Sequence, residues 1–300
     1  MRELPLSIKR AVRQYAPIQT DGLIFYPVLV DEIDEYLIAK PALTVMQQAF
    51  PVRFVSMPLL SAMYAIEYDA ELAANEEFAG LFYRALLMLA LSLRLGQGRD
   101  AEERVRAFQI IVDPQRPERL KALRFRFNGE EICELTPMAF QRIRPIIAAQ
   151  NGAELISEDA NPELVQAEQD LAEIKAPKLD VKIENIIDTL VLFTGKDENE
   201  ILKWPVAKLF RLRDALERSV EHVVCGIAEG GGAQWKKGNP YPSLFFDRLR
   251  DENMGLMPLE SFANGAGVGA IQNQAAGGVD MSPDIAAIAK GVKDFDNFYR

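Results

Sequence analysis

Residues 76–96 read EEFAGLFYRALLMLALSLRLG. From Glu76 to Leu95 apolar side chains point to nearly every side of a helix: Phe78, Leu81, Phe82, Ala85, Leu86, Leu89 and Leu93. A helix that is apolar all round is buried by other elements. The rival reading is a membrane span, which needs ~20 predominantly apolar residues. Phe78 to Leu95 is shorter than that and carries Arg84. The run therefore predicts a core helix, ended by Gly96 and Gly98. Its neighbours must supply the helices that bury it.

Working back toward the N-terminus, Ser56-Met57-Pro58 opens a helix with Leu59, Leu60, Met63, Tyr64 and Glu67 at helical spacing. Ser56 is the expected cap, and proline in a first turn loses no needed hydrogen bond. Asp31 is expected to cap a helix to about Ala39, with Ile33, Tyr36 and Leu37 on one face and Pro41 as its stop. Before it, APIQT and LIFYPVLV flank Asp21-Gly22. Asp-Gly between apolar runs is a hairpin signal, because both turn residues take positive φ. Pro27 pushes the second run toward a sheet edge.

Working forward, RVRAFQIIV (104–112) and LKALRFRF (120–127) read as strands. In the second, Leu123, Phe125 and Phe127 alternate with Arg124 and Arg126, so one side is apolar and the other charged. Asn128-Gly129 and Glu131 to Leu135 complete a second hairpin signal. Thr136-Pro137 starts a helix to about Gln150 with Met138, Phe140, Ile143, Ile146 and Ile147 inward. A polar helix is expected from Asn161-Pro162 to about Lys175. An amphipathic one follows from Lys182, through Ile183, Ile186, Ile187, Leu190 and Phe193, to Gly195. A short helix covers Asp197 to Lys203. Pro205 then opens the longest, to about Ala228, with Val206, Leu209, Phe210, Leu212, Leu216 and Val220 on its face. Past Gly230-Gly231-Gly232 the period is lost until Ile285 to Tyr299.

The expected architecture is mostly α, an α+β helical body with a small antiparallel β insertion and a flexible C-terminal tail. The parts are a hairpin plus helices (1–103), the β insertion (104–135), a helical domain (136–250) and a tail (251–300) that ends in an amphipathic segment.

With 300 residues, 49% of them hydrophobic and 26% charged, the chain has the composition of a soluble globular protein. Its net charge of −10 disfavours a nucleic-acid partner, because phosphate repels an acidic surface. Two cysteines, Cys133 and Cys225, make no disulfide framework, and the N-terminus MRELPLSIKR has no apolar signal region. A reduced cytoplasmic setting is expected.

Reactive chemistry finds little to use. His222 is the one histidine. It stands three residues before Cys225 on the long helix, but two ligands do not make a structural zinc site, and nothing marks an orienting group or an oxyanion hole. Asp31, Glu32, Asp34 and Glu35 cluster at a helix start, where carboxylates favour the macrodipole; a hard-cation site would need them to converge. Gly265 to Ala270 (GAGVGA) has neither the strand before nor the helix after that a phosphate loop requires. No cofactor, metal or catalytic residue is expected. Aromatic side chains remain as partner-binding candidates: Trp235, Tyr241, Phe245 and Phe246 in one cluster, and Phe295 and Tyr299 at the end.

Residues 136–246 carry two runs that resemble a group of phage proteins encoded near the tail genes of tailed phages of Gram-positive hosts. They are MAFQRIRPIIAAQNGAELISEDANPELVQAEQDL and IENIIDTLVLFTGKDENEILKWPVAKLFRLRDAL. The matching positions are Phe140, Ile143, Ile146, Ile147, Gln150, Asn151, Asn161, Pro162, Glu163, Thr194, Gly195, Glu200 and Ile201. The opening IFYPVLVDEIDEYL is similar to that group's start, a strand followed by an acidic helix. The resemblance implies a non-enzymatic tail-assembly chaperone of the host cytoplasm that binds the tail-tube protein or the long helical tape-measure protein. The alternatives are a structural component of the virion tail and an enzyme with a carboxylate-based metal site. The Gly/Ala-rich stretch beyond about residue 250 departs from the group's pattern.

Overall fold

The computed structural model describes residues 4–75, 78–127, 131–156 and 182–231, with a few isolated positions in 161–167 and 241–244. The expected helix from Asn161 lies almost wholly outside the described residues, and so do the tail and its terminal amphipathic segment.

Helix α1 (Leu6–Arg13) precedes a hairpin of β1 (Ile18–Thr20) and β2 (Leu23–Phe25). Ile18 pairs with Phe25 and Thr20 with Leu23. The turn is Asp21 at φ 50° and Gly22 at φ 77°, both left-handed, as a two-residue hairpin loop requires. Helices α2 (Ile33–Thr44), α3 (Val52–Val55), α4 (Leu59–Glu67), α5 (Ala70–Ala73) and α6 (Leu81–Ser92) follow. After α7 (Ala101–Val105) come β3 (Gln109–Asp113), β4 (Arg116–Phe127) and β5 (Glu131–Leu135), then α8 (Pro137–Gln150), α9 (Ile183–Thr194), α10 (Glu198–Ile201) and α11 (Val206–Gly230). The architecture is mostly helical with a three-stranded and a two-stranded antiparallel sheet.

The quoted run is a core helix, as its pattern predicts. It starts at Leu81, later than expected, and Leu86 through Ser92 are buried without a break. Helix α4 is buried from Leu59 to Ile66. α2 and α4 both pack on α6, and β4 and α8 pack on α4. One continuous apolar core runs from Leu23 in the hairpin through Leu123 and Phe125 of β4 to Leu209 of α11.

Several local expectations are corrected. Arg104 does not open a strand. Asp100 accepts from the Glu103 N–H at 2.8 Å and starts α7, so the chain is helical to Val105 and β3 begins at Gln109. Pro41 does not stop α2, which continues to Thr44. The Arg144 guanidinium helps hold that last turn, donating to the Leu43 carbonyl at 2.7 Å and to that of Val45 at 2.6 Å. A cation there satisfies end carbonyls and opposes the negative end of the helix dipole. Ser56 does not cap α4; it closes α3, and Pro58 stands at the N-cap. Leu37, grouped on one face with Ile33 and Tyr36, and Met138, expected inward, are exposed. Other signals hold: Thr136 caps α8 by accepting from Ala139 N–H at 3.2 Å, and Asp197 caps α10 by accepting from Asn199 N–H at 2.8 Å.

The segment Tyr26–Asp31 is the seam of the fold. Tyr26 N–H donates to Ser92 O of α6, Val30 N–H to Trp204 O and Asp31 N–H to Leu202 O, while Val206 N–H donates back to Val28 O. Pro27 lies just past β2, where its missing N–H disturbs no ladder. Two buried amides at the end of α8 complete the seam. Asn151 Oδ1 accepts from Val28 N–H at 2.8 Å and its Nδ2 donates to Ile147 O at 2.9 Å. Gln150 Nε2 donates to Ala16 O at 3.2 Å and Phe25 O at 3.1 Å. Backbone polar groups taken into a core must find partners, and here side chains 123 and 125 residues away supply them.

Candidate protein-binding surface

α11 is 25 residues long, about 37 Å at 1.5 Å per residue. Val206, Leu209, Leu216, Val220, Val223, Val224 and Ile227 fall along one stripe of it. At the N-terminal end the stripe is core: Val206 and Leu209 are fully buried. At the other end it is not. Val220 is 48% exposed, Val223 55%, Val224 54% and Ile227 71%. Val220 lies on the expected apolar face, but that face is not covered there. Toward the C-terminal end of the helix the apolar pattern continues on a side that is left exposed. α9 ends in a similar way. Ile186, Ile187 and Leu190 are buried, while Leu192 and Phe193 stand exposed in its last turn. Phe193 belongs to the expected amphipathic pattern but is not buried with it.

The spacing of the exposed residues, i, i+3, i+4 and i+7, is that of a coiled-coil seam, and such a row accepts a second helix lying alongside. Scattered single apolar residues on a surface need no explanation; four on consecutive turns of one helix do.

The other side of the same helix is occupied. His222 Nδ1 donates to the Tyr241 carbonyl at 2.7 Å. A carbonyl only accepts, so that ring nitrogen carries the proton. Cys225 on the same side is buried and is a free thiol. His222 and Cys225 therefore share a helix face, as their spacing implies, and the histidine holds the Tyr241 carbonyl there. Tyr241 is half-buried. Trp235, Phe245, Phe246, Phe295 and Tyr299 lie outside the described residues.

The acidic cluster at 31–35 is divided by the fold. Asp34 and Glu35 sit in the first turn of α2, as the dipole argument expects. Glu32 does something the sequence did not signal. Its carboxylate receives the Arg104 guanidinium at 2.6 Å, with only 12% and 4% of the two side chains exposed. This ion pair ties α7 to the turn before α2, and Arg104 Nε also donates to the Arg99 carbonyl at 3.1 Å. Among the described residues no three His, Cys, Asp or Glu side chains converge as ligands for a metal ion. No helix among them is long and apolar enough to cross a membrane.

The surface signal at α11 was partly readable. In the sequence the stripe reads as far as Val220, and nothing local distinguishes its buried half from its exposed half. No known family model matches this chain, and no curated protein or solved structure is similar to it.

Proposed function

We propose that this chain works by binding another polypeptide, as a non-enzymatic tail-assembly chaperone of a tailed phage. Its partner is the tape-measure or tail-tube protein, met in the host cytoplasm. The observation that carries the binding role is the apolar stripe of α11 continuing on a side that is left exposed. The resemblance of residues 136–246 to proteins encoded beside phage tail genes supplies the phage context. A helical seam favours the tape-measure protein, which is itself a long helix, over the tube subunit.

Magnitudes set the character of the contact. Covering the remaining surface of four half-exposed aliphatic side chains is worth about 1 kcal/mol each. Association costs at least about 4 kcal/mol in lost rigid-body freedom. The stripe alone therefore gives a weak, reversible grip, which suits a protein that must hand its client over.

The test is co-expression with each candidate client, followed by capture. Wild-type protein should retain the tape-measure protein, and the pair Val223→Lys with Ile227→Lys should lose it while keeping the wild-type Tm. Equal capture by the charged variant would remove the α11 face from the account. Mass spectrometry of finished particles separates the readings further: a chaperone is missing from them, whereas a structural tail component is present at fixed stoichiometry.

A further inference from the structure

A second surface has the opposite chemistry. The chain carries −10 net charge, yet Arg99, Arg106, Arg124 and Arg126 line one open groove of about 970 Å³, with Glu103 the one carboxylate among the lining residues. One wall is the turn after α6 together with α7. The other is the outward side of the three-stranded sheet, where Arg124 lies opposite Glu134 and Arg126 opposite Ile132.

The arginines are held by carboxylates they can exchange. Arg124 Nε and Nη2 reach Glu134 Oε1 at 2.9 and 2.5 Å. Arg106 pairs with Glu102 at 3.0 Å and Arg99 with Glu103 at 3.9 Å. All of these side chains are substantially exposed, so each pair contributes little and opens readily. Arg126 has no ion-pair partner among the described residues.

We infer that this groove binds an extended, acidic peptide segment of a partner protein. Arg124 and Arg126 alternate along one strand face, about 7 Å apart at 3.4 Å per residue. Carboxylates at alternate positions of an extended peptide have the same spacing. Guanidinium groups bind them with charge-assisted, bidentate geometry, and Ile132 gives the segment one apolar step. The groove is too open to enclose most of a small molecule's surface, as ligand pockets do. A nucleic acid needs phosphate contacts over a broad basic face, and four arginines lining one groove do not make one.

Fluorescence anisotropy on the full chain tests this. The probe is a labelled short peptide alternating Glu and Thr; the controls are its Gln-for-Glu counterpart and an oligothymidylate of equal charge. The acidic peptide should bind, more weakly as salt is raised, and the Gln peptide should not. Arg124→Gln with Arg126→Gln should weaken binding at least about tenfold. Arg126→Gln alone, which breaks no pair, should weaken it by a smaller factor at unchanged Tm. Val223→Lys should leave it untouched, which separates this site from the α11 face. No binding of the acidic peptide, equal binding by the arginine variants, or tighter binding of the oligothymidylate each overturns the inference.

Discussion

Asn151→Ala should be among the most damaging single changes in the protein, although the residue touches no proposed binding surface. The residue is 1% exposed, and its Oδ1 accepts from Val28 N–H at 2.8 Å. Alanine leaves that donor buried without a partner, which costs about 1–3 kcal/mol. Losing the donation to Ile147 O costs about 1 kcal/mol more, and the small void adds roughly another. The total is about 3–5 kcal/mol, or on the order of 10 °C in Tm. Gln150→Leu is the internal control. Gln150 is equally buried, but its Nε2 donates to two carbonyls and its Oε1 has no partner. Carbonyls tolerate under-satisfaction better than N–H groups, and leucine removes the orphaned oxygen, so the cost should be about 1 kcal/mol. Urea unfolding followed by far-ultraviolet circular dichroism, with calorimetry in parallel, gives both values. If Asn151→Ala costs under about 1 kcal/mol, or Gln150→Leu costs as much as Asn151→Ala, the account of the seam is wrong.

Glu32→Gln or Arg104→Met alone should cost about 3–5 kcal/mol, since each strands a buried charge, while Glu32→Leu with Arg104→Met should recover most of the loss; denaturant midpoints decide. Burial pushes the Tyr36 phenol up to about 12, above the ordinary value near 10 that the unfolded chain keeps. The unfolded chain then loses its proton first. Stability from this group is intact below pH 10 and about 2–3 kcal/mol of it disappears between pH 10 and 12; Tyr36→Phe should flatten that alkaline limb in pH-dependent melts. Val220→Lys, Val223→Lys and Ile227→Lys should each leave stability within about 0.5 kcal/mol, as exposed positions do. A larger loss by thermal melting would mean that the stripe is covered within the monomer.

Legibility tracked the range of the forces involved. The hairpin at Asp21-Gly22, the helix starts at Thr136 and Asp197 and the all-apolar helix were readable because turns, caps and periodicity act within a few residues. Where the fold departs from local pattern, the cause is long-range. Arg104 belongs to a strand-like run, but the Asp100 cap and a carboxylate 72 residues away hold it in a helix. Pro41 has the look of a helix stop, yet α2 runs through it to Thr44, where Arg144 donates to the carbonyls of Leu43 and Val45. Leu37, Met138 and Phe193 sit on apolar stripes that extend beyond the area their neighbours cover.

For the candidate surfaces the division is the same. A long, striped α11 and a β4 that alternates arginine with apolar side chains can be read from local pattern, because helical and strand periods follow from the backbone alone. Packing makes the stripe core at Leu209 and solvent-facing at Ile227, and brings arginines from the 96–107 segment and from β4 to one groove. The reason is physical: a side chain's pattern dictates which way it points from its own element, but whether anything stands opposite depends on where the rest of the chain packs.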